Sequence, residues 1–217
     1  MARTRRVVLG DYVYHVLNRS ARKGPLFVDS GDYRAFELLL QEAKERTEMR
    51  ILAYCLMPTH WHLLLWSLRD GDVTSFVKWL STTHAARWTR KHQCVGGGAV
   101  YQSRFKSIAV ENGRHLYWVW RYVERNAMRA NLVASAEDWR WGSLWQRSHE
   151  SVEGIVSNVP IPLPDDWASI VNLPQTEAEL AAFRHHVRLN QTFGHERWLA
   201  QTTPPTRGRP HLRKAKK

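Results

Sequence analysis

Cysteine and long apolar runs are both scarce in this sequence of 217 residues. The two cysteines, Cys55 and Cys94, cannot build a disulfide framework and lack CxxC spacing. No window approaches the roughly 18 consecutive apolar residues of a membrane span. The apolar run at residues 7–9 is too short for the hydrophobic region of a signal peptide. These absences exclude a disulfide-rich secreted domain and an integral membrane protein, and we expect a protein of the reducing cytoplasm.

Acidic residues are rare at both ends of the chain, whose formal net charge is +12. Residues 1–23 carry six basic side chains and one acidic side chain, and residues 204–217 carry six basic and no acidic ones. Residues 84–129 have nine basic residues against two acidic ones. This distribution favours a polyanionic partner, most commonly nucleic acid, although a solubilising surface explains the composition equally well.

Apolar residues make up 43% of the chain, which is enough to bury a core and too much for a disordered protein. At about 100–200 residues per domain, the length predicts one substantial domain with an appendage. We predict a main domain over 1–150, a proline-containing linker over 151–176, a helical extension over 177–203 and a basic tail over 204–217.

Two hydrophobic periodicities alternate along the first 150 residues. They predict strands at 12–17, 51–56, 60–66 and 101–110, and helices at 30–46, 72–90 and 113–130. The order β-α-β-β-α-β-α is that of a ferredoxin-like (split βαβ) α+β fold with one added helix. Such a fold has an antiparallel sheet with helices on one face. A further amphipathic helix is predicted at 177–190.

His60 and His62 flank Trp61 in the predicted third strand. Side chains two apart in a strand share a face, so the two imidazoles lie side by side and are able to bind one divalent cation. Two ordinary histidines on a sheet face are the alternative. The sequence alone leaves both interpretations open.

Tyr122 and Asn126 lie four residues apart on the predicted helix 113–130, so they are adjacent on its surface. Their face lies beside an apolar stripe that would pack against the sheet, and that packing would direct both side chains toward the strand with His60 and His62. A boundary tyrosine and an exposed amide are the structural alternatives.

Three motifs occur together in the sequence: YCLMPTHWH at 54–62, YQSRFKS at 101–107 and RYVERNAMRA at 121–130. With these motifs the chain resembles the REP-associated tyrosine transposases, in the single-tyrosine branch of the HUH (His-hydrophobe-His) endonucleases. The resemblance covers roughly residues 7–147. It implies a bacterial, nucleoid-associated enzyme that cleaves single-stranded hairpin DNA through a 5′-phosphotyrosine intermediate.

Carried over by position, the resemblance implies that Tyr122 is the nucleophile and that His60, His62 and Asn126 bind a metal ion. A set of two imidazoles and one amide oxygen suits Mg²⁺ or Mn²⁺ in a partly hydrated shell. Family members often have Asn-Pro where this chain has Asn126-Ala127. Because alanine lets the helix continue, this departure affects the angle at which Asn126 meets the metal.

Basic side chains near these motifs are candidates for DNA contacts: Arg104, Lys106, Arg121, Arg125 and Arg129. The tail adds Arg207 and Arg209, in an AT-hook-like segment whose arginines are suited to a narrow minor groove. A solvated surface and a solubilising tail are the alternatives.

The resemblance therefore implies an enzyme that acts as a monomer and binds single-stranded or hairpin DNA, and we expect neither a membrane partner nor a small-molecule substrate. The main alternative is a non-catalytic nucleic-acid-binding module that exposes aromatic residues on the open face of a ferredoxin-like sheet. A metal hydrolase that uses bound water is a third possibility.

Overall fold

The computed structural model describes residues 8–21, 24–149 and 154–202. Its centre is one antiparallel sheet of four strands in the order β2-β3-β1-β4. The strands are β1 (Val13–Arg19), β2 (Arg50–Met57), β3 (His60–Trp66) and β4 (Lys106–Val110). Helix α1 (Ser30–Thr47) joins β1 to β2, and helix α2 (Asp72–Lys91) joins β3 to β4. This order and these connections confirm the predicted ferredoxin-like α+β fold.

Alternation along the strands divides the sheet residues between two apolar cores. Tyr14 and Val16 of β1 and Trp61 of β3 contribute to the core that α1 and α2 cover. Asp29 caps the start of α1 by accepting a hydrogen bond from the Asp32 backbone amide. The pair of helices therefore occupies one face of the sheet, as the periodicity predicts.

The opposite face of the sheet is also covered. Helix α3 (Arg114–Glu124) lies across it and contacts β2, β3 and β4. Val119 and Val123 of this helix are fully buried and belong to the same core as Val13 and Leu64 of the sheet. The helix added to the ferredoxin-like order thus packs on the face that α1 and α2 leave free.

Two elements differ in extent from the sequence prediction. The helix expected over 113–130 is interrupted at Arg125, so that α3 is followed by a separate short helix, α4 (Asn126–Arg129). The fourth strand begins at Lys106, because Tyr101 makes only an isolated bridge to Ser20.

The C-terminal part of the described chain packs on the second core. A 3₁₀ turn (Ala136–Asp138) is followed by α5 (Ser143–Ser148), α6 (Trp167–Asn172), α7 (Glu177–Leu189) and α8 (Glu196–Thr202). Helix α6 lies inside the region predicted as a linker, and its Trp167 and Val171 are buried in this core. Within the described ranges, none of the helices combines the length and apolar character needed to cross a bilayer.

A buried carboxylate fastens the end of α3 to its neighbours. Glu124 accepts hydrogen bonds from the Ser143 hydroxyl at 2.6 Å and from the Trp167 indole at 2.6 Å, and it pairs with Arg147. Ser143 and Arg147 belong to α5 and Trp167 to α6. A carboxylate with three partners offsets the cost of its own burial, and here it fixes the helix that carries Tyr122.

We expect Arg147→Met to lower the free energy of unfolding by about 3–5 kcal/mol, because it leaves the Glu124 charge buried without its cation. Urea denaturation measures the change. Glu124→Gln removes the buried charge, keeps an amide oxygen as acceptor for the Trp167 indole and directs its NH₂ group to the Ser143 hydroxyl, so it serves as the control with a smaller loss. A loss from Arg147→Met no larger than that of Glu124→Gln would contradict the interpretation.

Candidate active site

Three histidines lie together on the sheet face that α3 covers. His60 and His62 belong to β3, and the register sets Leu17 of β1 opposite His62. His15, two residues before Leu17, shares their face, and its Nε2 lies 2.9 Å from Nδ1 of His62. The rings of His60 and His62 have their centroids 5.0 Å apart and are nearly perpendicular. Strand alternation therefore brings the predicted pair together, as the sequence pattern indicates.

Tyr122 reaches this histidine cluster from α3. Its ring centroid lies 5.9 Å from those of His15 and His62, edge to face with both. Trp118 stacks on one side of the ring, and Phe183 of α7 lies 4.7 Å away. Only 6% of Tyr122 is exposed, so these aromatic contacts hold the phenol in a fixed orientation beside the imidazoles.

Asn126 and Arg129 complete the group from α4. The Arg129 guanidinium donates to Oδ1 of Asn126 at 2.7 Å, and its carbon lies 4.2 Å from the centroid of the Tyr122 ring. Asn126 is buried, and its Nδ2 has no hydrogen-bond partner among the described residues. Arg129 thus links the amide and the phenol that the sequence analysis assigned separately.

One cavity of about 460 Å³ is lined by all four of the residues predicted to carry the chemistry, His60, His62, Tyr122 and Asn126. Its wall also carries six basic side chains: Arg19, Arg104, Lys106, Arg129, Arg184 and Arg188. None of the described residues that line it is acidic. The cavity therefore presents a concentrated positive potential to a ligand.

Burial keeps the histidines of the cluster neutral. It lowers the pKa of His15 to about 3, with a further decrease from the charge of Arg129. It lowers the pKa of His60 to about 4, where Arg19 and Arg129 add to the effect. Burial and the neighbouring His15 and His60 hold the pKa of His62 well below 6.5. At neutral pH the imidazoles therefore retain free lone pairs while the arginines supply the charge.

The remaining predicted DNA contacts fall into three groups. Arg104 and Lys106 line the cavity, and Lys106 also donates to the Arg188 carbonyl oxygen at 3.2 Å. Arg121 and Arg125 both donate to the Leu173 carbonyl oxygen, so these side chains brace the segment before α7. Arg207 and Arg209 lie outside the described residues.

Four residues of the site escape the sequence analysis: His15, Arg19, Arg184 and Arg188. Arg19 ends β1, opposite His60 in the register. Alternation along β1 places His15 on the same face as Leu17. This places His15 beside His62 only once β1 is known to pair with β3. Arg184 and Arg188 are four residues apart on α7, so they lie on the same face of the helix. Both fall within the amphipathic helix that the sequence predicts at 177–190. The sequence does not indicate that this face meets the cavity.

Comparisons with known proteins identify a family and similar solved structures. A family model described as "Transposase IS200 like" matches residues 9–126, more than half of the chain. No curated protein sequence matches the chain. A solved REP-associated tyrosine transposase bound to a REP hairpin superposes with a TM-score of 0.55 at 20% sequence identity, covering 76% of this chain and 96% of that one.

A second solved structure, of a transposase candidate from Deinococcus radiodurans R1, has a TM-score of 0.40 at 18% identity. It covers 60% of this chain and 92% of its own. The family model covers more than half of the chain, and this extent leads to one conclusion. The chain belongs to the family of IS200-like transposases.

Proposed function

We propose that this transposase cleaves and rejoins single-stranded DNA through Tyr122. The phenol oxygen attacks a phosphodiester phosphorus after losing its proton, the bond from phosphorus to the 3′ oxygen breaks, and the leaving oxygen takes up a proton. The products are a 5′-phosphotyrosyl enzyme and a free 3′-hydroxyl. Because the covalent link conserves the phosphodiester energy, a 3′-hydroxyl reverses the step and joins strands without ATP. The convergence of Tyr122, His60, His62 and Asn126 on one basic cavity is the observation that carries this proposal.

The donor set of the cavity fits a divalent metal ion, Mg²⁺ or Mn²⁺. Nδ1 of His62 is engaged by His15, and Nδ1 of His60 by the Thr59 hydroxyl at 3.1 Å. With the proton of each ring on Nδ1, where it is donated to His15 Nε2 and to the Thr59 oxygen, Nε2 of each ring keeps its lone pair. Neither Nε2 has a hydrogen bond from the described residues, so both are available as ligands. The Asn126 carbonyl oxygen has two lone pairs and accepts from Arg129 with only one of them.

Transposases of this family are generally metal-dependent, which agrees with such a set. When bound, the metal would act as a Lewis acid on a phosphate oxygen and template the attack. His60, His62 and Asn126 would hold it, and being uncharged they would leave its full charge for the phosphate. Arg129 keeps Asn126 in place and adds its own positive charge beside Tyr122.

The DNA partner is proposed to be a REP-type hairpin with single-stranded flanks. The solved relative is bound to a REP hairpin, and the six cations of the cavity wall suit a phosphate backbone. The tail arginines Arg207 and Arg209 remain proposed minor-groove contacts. One chain supplies the nucleophile and all three ligands, which supports the monomer as the active form.

The covered second sheet face argues against the non-catalytic binding module. Such a module stacks bases on exposed aromatics of an open sheet. Here Val13, Leu64 and Ile108 of that face are buried beneath α3 and its neighbours. Within the described part of the chain, His60 and His62 of this face open instead into the cavity that Tyr122 also lines.

We expect Tyr122→Phe to abolish the covalent protein–DNA adduct, because the phenyl ring keeps the packing but lacks the attacking oxygen. Labelled hairpin DNA incubated with Mn²⁺ and resolved on a denaturing gel measures the adduct. Tyr117→Phe is the matched control on the same helix, since the Tyr117 hydroxyl bonds to the Pro162 carbonyl outside the cavity. An undiminished adduct in Tyr122→Phe would overturn the assignment. EDTA should abolish the adduct and leave DNA binding in place.

The double substitution Arg184→Ala, Arg188→Ala should weaken binding of single-stranded DNA. It should also reduce the slope of log Kd against log salt by about 1.4, because each lost phosphate contact removes about 0.7. Fluorescence anisotropy at several salt concentrations measures the slope. Arg69→Ala with Arg87→Ala makes the same change in net charge at side chains paired with Glu48 and Glu42. An equal effect of the two double variants would mean that only net charge matters.

The neutrality of the histidine cluster predicts a pH-dependent stability. Below pH 6.5 the unfolded chain binds a proton at His15, whereas the folded protein, with a His15 pKa of about 3, does not. Stability therefore falls with decreasing pH, and His15 contributes about 2 kcal/mol to the loss between pH 7 and 5. Urea denaturation at pH 7 and at pH 5 measures the loss of unfolding free energy between the two pH values. This loss should be about 2 kcal/mol smaller in His15→Leu than in the unchanged protein. An unchanged difference between the two pH values would show that His15 is protonated in the folded state.

A further inference from the structure

A second cluster of potential metal ligands lies at the edge of the sheet. Glu111 directly follows β4, His115 is in the first turn of α3, and His195 precedes α8. Oε2 of Glu111 lies 3.1 Å from Nδ1 of His115 and 3.1 Å from Nδ1 of His195. None of the three lines the cavity that contains Tyr122. The cluster is therefore a separate feature of the protein.

The backbone brings His195 to this position by extending the sheet. The Phe193 amide donates to the Ala109 carbonyl oxygen at 2.8 Å, and the Glu111 amide donates to the Phe193 carbonyl oxygen at 2.9 Å. This parallel bridge lies beside Val110, on the free edge of β4. The approach is close, because a Cβ on Gly194 would lie 2.7 Å from Cβ of Glu111. Glycine at 194 therefore permits the segment to reach Glu111.

The distances within the cluster suit a tetrahedral ion. Zinc bonds to nitrogen and oxygen are about 2.0–2.1 Å long, so two ligand atoms of a tetrahedron lie about 3.3 Å apart. The two separations of 3.1 Å are close to this value. Nδ1 of His115 is also buried and makes no hydrogen bond within the described residues, despite its distance to Glu111. A metal ion would take up this unused lone pair.

We propose that Glu111, His115 and His195 bind a divalent transition-metal ion of the Zn²⁺ type. Two imidazoles and one carboxylate form a donor set that zinc accepts, with a fourth position left for water. The site is chemically distinct from the one proposed for Mg²⁺ or Mn²⁺ and does not depend on it.

The ion would fasten the C-terminal segment to the sheet edge and to α3. Phe193, two residues before His195, packs against Phe183 of α7 and Trp118 of α3, with ring centroids 5.0 and 5.7 Å apart. Phe183 in turn contacts Tyr122. Metal binding at the edge would therefore stabilise the position of α7 on the catalytic helix.

Co²⁺ replaces Zn²⁺ as a spectroscopic probe in the test. The full chain carrying His60→Ala and His62→Ala, which lacks the first site, should bind one equivalent with the visible absorption of a tetrahedral complex. Adding His195→Ala should remove both, whereas His185→Ala, an exposed histidine on α7, should preserve both. Glu111→Gln keeps an oxygen for the His195 amide and should weaken binding roughly tenfold or more.

A second measurement avoids dependence on the double-alanine background. In the otherwise unchanged protein, Zn²⁺ should raise Tm by a larger amount than it does in His195→Ala, because an ion that binds only the folded state stabilises it. His195 is 70% exposed, so its replacement should leave the fold intact. Absence of Co²⁺ binding in the double-alanine protein, or equal binding with and without His195, would overturn the proposal.

Discussion

Helix α3 lies across the sheet face that carries the histidines, and the approach of Tyr122 to them depends on that contact. Burial of Val119 and Val123 against the sheet fixes the rotation of the helix about its axis. This rotation directs Tyr122, the residue before Val123, toward His15 and His62. Because apolar burial is worth about 25 cal/mol per Å², the packing energy of the whole helix holds one phenol in place.

Sequence periodicity predicted the elements well and their assembly less completely. The predicted bounds of β3, 60–66, match the structure, and those of α2, 72–90, differ from it by one residue. The interruption at Arg125 leaves no trace in the pattern, because Arg125 keeps right-handed helical dihedrals and Ala127 permits a helix. Local preferences do not encode which side of a sheet an added helix will cover.

The same limit applies to the candidate site. His60, His62, Tyr122 and Asn126 could be named because the members of each pair are close in the sequence and match a known arrangement. His15 depends on the pairing of β1 with β3, and Arg184 depends on how α7 docks more than 50 residues after Asn126. His15 and Arg184 join the site through contacts between distant segments of the chain, and such contacts become visible only in the tertiary structure.

Charge in the cavity shows why the C-terminal helix belongs to the site. Six cations share a wall to which no described residue adds a carboxylate. Burial lowers the pKa of Arg129, although Tyr122 acts to raise it. Two contacts offset part of the repulsion among these cations. The Tyr122 ring lies against the Arg129 guanidinium, and the Arg188 carbonyl oxygen accepts a hydrogen bond from Lys106. A bound polyanion would relieve the repulsion fully. The family match ends at residue 126, yet Arg184 and Arg188 supply two of the six charges, so the site extends beyond the segment that defines the family.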